Sequence, residues 1–340
     1  MEDIQTFFNS VGQGYGAGRV IIDDVFCQYN IHDLSKPLVY TFSNMGQVTT
    51  LENATDKDYS AWGYSFINKQ GLNVIAFSCL EKPSWFRSDI FHDFIVQLSA
   101  LTGNYVERLG YGGSMGGYAV AAFANQLQMD RILVMNPIST LNEELAPFET
   151  RFKPHRRRYN WSNSFHDGAT ASVPGYIIYD PLFELDKKHA TRFDTLCHLK
   201  LPGVGHGIPR HLHNIGSLKW IVQRFIRGAI NEHKFYTRAR KRRNYPGYYN
   251  WMLSKQNIHL TNKRRHIIML HKKANRIISG ISREIPHEEI KRIIHAAERI
   301  SHEMPEESLN LFSIVNKIKP NDPLVKRRIA QVKAKSIPSR

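Results

Sequence analysis

Leu109-Gly110-Tyr111-Gly112-Gly113-Ser114-Met115-Gly116-Gly117-Tyr118 is the stretch that decides the fold of this 340-residue chain. Its G-x-S-x-G core places Ser114 between an apolar run and a helix-forming segment, residues 118–125. On such a strand-to-helix turn, only glycine neighbours let the two elements approach closely. The turn lifts the serine hydroxyl out of the fold and points the helix N-terminus at it. A nucleotide-binding loop is the weaker interpretation, because the segment has no G-K-[ST] ending.

Short apolar runs alternate with helical patterns on both sides of this turn, which is typical of βαβ units and a parallel sheet buried on both faces. The chain resembles the α/β-hydrolases over about residues 15–230, on the elbow around Ser114 and on this order of elements. The resemblance implies an α/β fold with a mostly parallel, doubly wound sheet, and a nucleophilic serine followed by an acid and then a histidine. The predicted strands are residues 18–26, 37–42, 72–78, 106–111, 131–137 and 175–180.

Two carboxylates follow the strand at 175–180 and could supply the acid. Asp180 lies at the end of that strand, where a sheet holds a side chain rigidly, and we favour it. Asp186 lies where a helix N-cap is expected, so its alternative role is a structural cap. Glu184 is a more distant third candidate. The spacing leaves the choice between Asp180 and Asp186 open.

The best candidate for the base is His206, in the glycine-flanked loop Gly203-Val204-Gly205-His206-Gly207. A loop histidine after the last strand is where the resemblance places the base. His211 and His213 are rivals, but both fall at or within the following helix. Serine needs a base within hydrogen-bond reach, and the base needs a third group to fix its tautomer. We therefore predict Ser114 as nucleophile and His206 as general base and then acid.

The tetrahedral oxyanion of acyl transfer requires backbone N–H donors. Met115 follows the nucleophile and is expected to supply one of them from the helix start. The resemblance places the second donor in the loop after the strand at 37–42, at Ser43 or Asn44. This loop lacks the H-G-G-G pattern of many lipases and esterases.

A long insertion, about residues 138–172, precedes the acid strand and is predicted to act as a lid, as the resemblance implies. It holds Arg157 and Trp161, and Trp85 in an earlier loop could line the same opening. Aromatic rings beside arginines suit a sugar or an anionic group on the substrate. The alternatives are a solvated basic loop for Arg157 and core packing for the tryptophans.

The net charge of +16 lies entirely in the last third of the chain. Residues 1–230 carry 21 basic and 21 acidic side chains, whereas residues 231–340 carry 25 and 9. Such a shift predicts a domain boundary near residue 230. The second domain reads as helices separated by prolines, loosely similar to tetratricopeptide-type helical hairpins, with a turn at Pro320-Asn321-Asp322-Pro323. It is either a solvated basic face or a contact for an anionic protein, glycan or membrane surface; no recognised nucleic-acid-binding module is present.

Cys27, Cys79 and Cys197 are far apart and form no C-x-x-C, so neither zinc nor a disulfide framework is indicated, and no cofactor is expected. The acidic start and the lack of a long apolar run favour a cytoplasmic protein. The sequence thus predicts a serine hydrolase acting on an ester or thioester of a small molecule or glycan. The alternatives are an acyltransferase with the same triad, and an inactive hydrolase fold that acts as an interaction module.

Overall fold

The structure is a computed structural model that describes residues 1–254, 260–278, 287–318 and 322–335. It divides into two compact units, residues 1–239 and 240–340. The division falls later than the predicted boundary at residue 230, because the helix Glu232–Ala239 packs with the first unit. Its Phe235 is buried, and Glu232 accepts a hydrogen bond from the Cys197 thiol at 3.2 Å.

The first unit is built on one eight-stranded sheet. In sheet order the strands run β1-β2-β4-β3-β5-β6-β7-β8, and only β2 is antiparallel to its neighbours. The mostly parallel sheet of the α/β-hydrolase type is therefore confirmed. The strands are β1 (Gly16–Ile22), β2 (Val25–Ile31), β3 (Leu38–Phe42), β4 (Asn73–Cys79), β5 (Arg108–Ser114), β6 (Arg131–Pro137), β7 (Gly175–Tyr179) and β8 (Leu196–Lys200).

Helices cover both faces of this sheet, as shown by β3 and β4, in which every residue is buried. Neither strand shows alternation of polar and apolar residues, which is typical of parallel strands between two helical layers. The helices of the first unit are α1 (Ile4–Gln13), α2 (Leu51–Thr55), α3 (Tyr64–Asn68), α4 (Asp89–Leu101), α5 (Met115–Ala124), α6 (Lys153–Arg158), α7 (Glu184–Ala190), α8 (Ile208–Asn214), α9 (Leu218–Ile226) and α10 (Glu232–Ala239).

The predicted strand at residues 18–26 is wrong as a single element. Ile22 pairs with Val25, so the chain turns over two residues and β1 and β2 form a hairpin. Asp23 in that turn has φ 51°, the left-handed conformation that two-residue hairpin loops require. The two aspartates between apolar runs were the signal for this turn.

The described residues of the second unit form helices: α11 (Pro246–Met252), α12 (Asn262–Ile278), α13 (His287–Ile300), α14 (Pro305–Ile318) and α15 (Pro323–Lys335). α14 packs against α12, α13 and α15 around its own apolar core, which includes Leu311, Phe312 and Val315. The similarity to tetratricopeptide hairpins stays a prediction, and Pro320 and Asn321 of the predicted turn lie outside the described residues. None of the helices described here is long and apolar enough to cross a membrane.

Candidate active site

The turn from β5 to α5 has the geometry that the glycine pattern predicts. Ser114 ends β5 with φ 56° and ψ −121°, a backbone conformation that residues other than glycine rarely adopt. A β-carbon at Gly112 would collide with the carbonyl oxygen of Gly116, and one at Gly116 would collide with that of Phe42. The two glycines therefore let β5, α5 and the end of β3 approach closely, and this contact fixes the strained serine.

Ser114 lies beside His206, as the order of the motifs predicts. The Ser114 Oγ is 3.0 Å from His206 Nε2, although the two residues are 92 positions apart. The side chain of His206 remains 30% exposed, whereas Ser114 is 8% exposed. The hydroxyl is thus held next to an imidazole that solvent can still reach. The rival His211 is buried and His213 is exposed, and among the described residues neither makes a hydrogen bond to Ser114 Oγ.

The preference for Asp180 as the partner of His206 is wrong, and the runner-up Asp186 takes that position. Both carboxylate oxygens of Asp186 are 2.8 Å from His206 Nδ1. Asp186 is fully buried in the first turn of α7, and the N-cap of that helix is Phe183, so Asp186 is not the cap. Nδ1 can therefore donate its proton to the carboxylate and leave Nε2 free to accept one.

Asp180 instead holds the loop that carries His206. Its Oδ2 accepts hydrogen bonds from the backbone N–H groups of Gly203, Val204 and Gly205 at 2.7–3.0 Å, and its Oδ1 accepts one from Leu182 at 2.9 Å. Burial raises the pKa of Asp180, against the lowering effect of these four bonds. The end of β7 does place a rigid carboxylate here, but that carboxylate satisfies backbone donors and does not contact the imidazole.

An ion-pair network behind Asp186 was not foreseen from the sequence. Arg151 Nη1 donates to Asp186 Oδ1 at 2.9 Å, while its other guanidinium nitrogens contact the carboxylate of Glu149. Arg151 Nη1 also lies 3.1 Å from His206 Nδ1, which already donates to Asp186. Both acids are fully buried, so the single guanidinium balances two carboxylates in the interior. Arg151 and Glu149 lie in the insertion, where nothing in the local sequence marks them as an ion pair.

A neutral histidine fixes the far side of this network. His189 Nδ1 accepts a hydrogen bond from the Ser139 backbone N–H at 3.0 Å, so the ring proton is on Nε2, which donates to Glu149 at 3.0 Å. Burial lowers the pKa of His189 and keeps the ring neutral. Burial alone would raise the pKa of Glu149, but the bonds from His189 and Arg151 outweigh it and lower the value to about 2. Glu149 is therefore a fixed negative charge that anchors Arg151.

Asn136 is a further residue at the site that the sequence did not single out. It lies at the end of β6, next to the elbow, with φ 39°. Its side-chain Nδ2 is 3.2 Å from His206 Nε2, and its buried Oδ1 has no hydrogen-bond partner within the described part of the chain. The only sequence signal was its place before Pro137 at a strand end.

The loop predicted to complete the oxyanion hole lies beside the start of α5. Met115 is the first residue of α5, so its N–H has no acceptor within the helix. The N–H of Ser43 donates to the Phe77 carbonyl oxygen at 2.9 Å and is therefore not available. Of the two residues predicted in this loop, Asn44 remains as the candidate for the second donor.

The two tryptophans predicted to bind substrate lie in the apolar core of the first unit. Trp85 is fully buried and Trp161 is 5% exposed, and their rings lie 5.7 Å apart. Trp85 also contacts Tyr118 and Phe152, so the aromatic cluster fastens the insertion to the body of the unit. Arg157 is exposed on α6, and a role for it in substrate binding stays a prediction.

Among the described residues, no group of three or more His, Cys, Asp or Glu side chains is arranged to hold a metal ion. The chemistry that this arrangement can perform is that of a serine activated by an imidazole. Such an arrangement supports acyl transfer through a covalent acyl-enzyme.

No protein-family model and no curated protein matches this chain. Among solved structures it is similar to the capsule O-acetyltransferase of Neisseria meningitidis serogroup A, at 14% identity and a TM-score of 0.41, over 61% of this chain and 95% of that one. It is also similar to Est1E from Butyrivibrio proteoclasticus, at 13% identity and a TM-score of 0.43, over 62% and 99% of the two chains. A third similarity is to a hyperthermophilic esterase from the archaeon Pyrobaculum calidifontis, at 13% identity and a TM-score of 0.41, over 67% and 90%.

Proposed function

We propose that this protein is a serine hydrolase that cleaves a carboxylic ester or thioester. The observation that carries the proposal is the continuous chain of contacts from Ser114 Oγ to His206 Nε2 at 3.0 Å, and from His206 Nδ1 to Asp186 at 2.8 Å. A strained serine on a glycine-locked turn, an imidazole and a buried carboxylate in this order are the parts that serine nucleophiles require.

In the first half-reaction, Ser114 Oγ attacks the substrate carbonyl carbon while His206 Nε2 takes the hydroxyl proton. Asp186 stabilises the imidazolium through Nδ1. The oxyanion accepts hydrogen bonds from the N–H groups of Met115 and Asn44; removing one such donor typically costs about 3 kcal/mol of transition-state stabilisation. His206 then gives its proton to the leaving alcohol or thiol, and the acyl group stays on Ser114.

In the second half-reaction, a water molecule attacks the acyl-enzyme while His206 Nε2 takes its proton. Collapse of the second tetrahedral intermediate releases the carboxylic acid, and Ser114 recovers its proton from His206. An alcohol in place of this water would make the protein an acyltransferase with the same residues. The exposed imidazole edge can serve either acceptor.

The substrate class is proposed at the level of the scissile bond. The expectation of an acylated glycan depended partly on an aromatic platform, and Trp85 and Trp161 are buried. Arg157 is the remaining exposed residue of that group, and it suits an anionic substituent on either a glycan or a small-molecule ester.

A fluorophosphonate probe tests the proposal without knowledge of the substrate. We expect the probe to label Ser114 in the wild-type protein, no labelling in Ser114→Ala, and strongly reduced labelling in His206→Ala. His213→Ala is the matched control, since His213 is an exposed histidine one helix away. A folded wild-type protein that the probe does not label would overturn the proposal in favour of an inactive interaction module. Product analysis of ester cleavage in the presence of an alcohol then distinguishes hydrolysis from acyl transfer.

A further inference from the structure

The second unit contains an open groove between two of its helices. α12 and α13 both pack against α14, and the space between them has a volume of about 1110 Å³. Ile267, Leu270 and Ile300 are buried at its floor, while Met269 on its wall is 53% exposed. An apolar floor that stays open to solvent on a helical surface is typical of a binding groove for another helix.

The rim of this groove is strongly basic. Six Lys or Arg side chains line it, and none of its described lining residues is an Asp or Glu. Lys263 forms an ion pair with Glu303, whereas Arg292 and Arg299 make no ion pair with any described residue. The cations lie on both walls, Lys263 on α12 and Arg292 and Arg299 on α13, so their field is directed at an occupant of the groove.

Shape and charge together define the occupant. We propose that the groove binds an acidic amphipathic helix of a partner protein, with apolar side chains on the floor and Asp or Glu against the rim. A membrane surface or a phosphate backbone would satisfy the cations but would leave the concave apolar floor unfilled. From Lys263 to Arg276 the α12 wall spans about 20 Å at 1.5 Å per residue, which corresponds to a partner helix of roughly 14 residues.

The experiment measures the binding of a designed probe to the full-length protein. The probe is a fluorescein-labelled 14-residue peptide with Leu at positions 1, 4, 5, 8, 11 and 12, Glu at the flanking positions and Ala elsewhere, read by fluorescence anisotropy. We expect Arg292→Glu/Arg299→Glu to weaken binding at least tenfold, and Met269→Glu to weaken it as well. The matched control is Arg264→Glu/Arg327→Glu, which changes the net charge equally at exposed positions that do not line the groove.

Equal losses of binding in the groove variant and the control variant would overturn the proposal, because the attraction would then be general. Equal binding of a scrambled peptide of the same composition would also overturn it, since the apolar floor would play no part. Two further results would contradict it: groove-dependent binding of phosphatidylglycerol vesicles without peptide binding, and a self-associated protein that Met269→Glu makes monomeric. The five substituted residues are exposed, and thermal melts check that each variant folds. Fluorophosphonate labelling of Ser114 is read separately, so failure here is distinct from failure of the proposed hydrolase activity.

Discussion

Replacing each of the two neighbouring aspartates by asparagine separates the partner of His206 from the carboxylate that holds its loop. In Asp186→Asn we expect the fold to persist and catalysis to fail. Oδ1 of Asp186 already accepts from Arg151 at 2.9 Å, so the amide oxygen would keep that bond and the new NH₂ would face His206 Nδ1. That arrangement forces Nδ1 to accept and moves the ring proton to Nε2, where it blocks proton transfer from Ser114.

The magnitude follows from this wrong tautomer. Loss of the orienting carboxylate in a serine triad lowers kcat by about 10⁴, which is roughly 5.5 kcal/mol of transition-state stabilisation. The effect of Asp186→Asn on stability is expected to be small, because Arg151 keeps its contacts with Glu149. The melting temperature of Asp186→Asn should therefore lie within a few degrees of the wild-type value.

Asp180→Asn should show the opposite pattern. The amide oxygen of the asparagine can still accept from the three loop N–H groups, but its NH₂ then faces the N–H of Leu182, and two donors cannot form a hydrogen bond. The bonds also lose the negative charge of the carboxylate that strengthens all four of them. We expect a loss of about 2–4 kcal/mol in unfolding free energy, or roughly 4–16 °C in melting temperature, with a smaller loss of activity.

The two variants are compared by p-nitrophenyl ester hydrolysis, by the rate of fluorophosphonate labelling at Ser114, and by thermal melts. A loss of 10³-fold or more in Asp180→Asn without a change in melting temperature would refute this reasoning, as would an Asp186→Asn variant that keeps a tenth of the wild-type rate. The labelling rate does not depend on the choice of ester, because the fluorophosphonate reacts with Ser114 directly.

Three further predictions concern the turn at Ser114, the ion pair of Arg151 and the buried His92. Gly116→Ala should destabilise the first unit by about 1–3 kcal/mol because its β-carbon would collide with backbone, whereas Gly103→Ala, with nothing within 4 Å, should leave the melting temperature nearly unchanged. Arg151→Gln should lower kcat about 10–100-fold with little change in KM, and Lys153→Gln, at an exposed position of the insertion, should not; steady-state kinetics tests both. Burial, helped by the nearby Arg87, lowers the pKa of His92 to about 4, so the unfolded state binds more protons between pH 6.5 and 4. As the pH falls through this range, protonation of His92 should lower the free energy of unfolding by about 1.4 kcal/mol per pH unit. His92→Phe should make this pH dependence shallower, as measured by urea unfolding at a series of pH values.

The place of Ser114 on a strand-to-helix turn and the fold class could be predicted because their signals are local. A serine in the strained conformation of the elbow needs glycines at fixed spacings, and these spacings are readable in the sequence around Ser114. The glycine-flanked loop of His206 carries a similar signal, since Gly203 and Gly205 both adopt positive φ.

The acid could not be predicted, because its assignment depends on how a loop folds back. Asp180 and Asp186 are close in sequence and both follow β7, so either could reach the imidazole. The three N–H groups of the His206 loop converge on Asp180 and leave Asp186 to face Nδ1. Backbone donors that compete for a carboxylate leave no trace in the spacing of acidic residues.

The insertion forms one wall of the candidate active site, where its Arg151 contacts Asp186 and His206. The buried Arg87 donates to the Asn160 carbonyl oxygen at 3.1 Å and to the Ser164 carbonyl oxygen at 2.9 Å, which fastens the middle of the insertion. Lifting the insertion would also expose Trp161, and burial of one large aromatic side chain contributes about 1.5–3 kcal/mol. Because Arg151 reaches Asp186 from the same segment, any such movement would also remove the cation beside the carboxylate of Asp186. The packing that keeps the insertion closed is therefore the packing that keeps the proposed site competent.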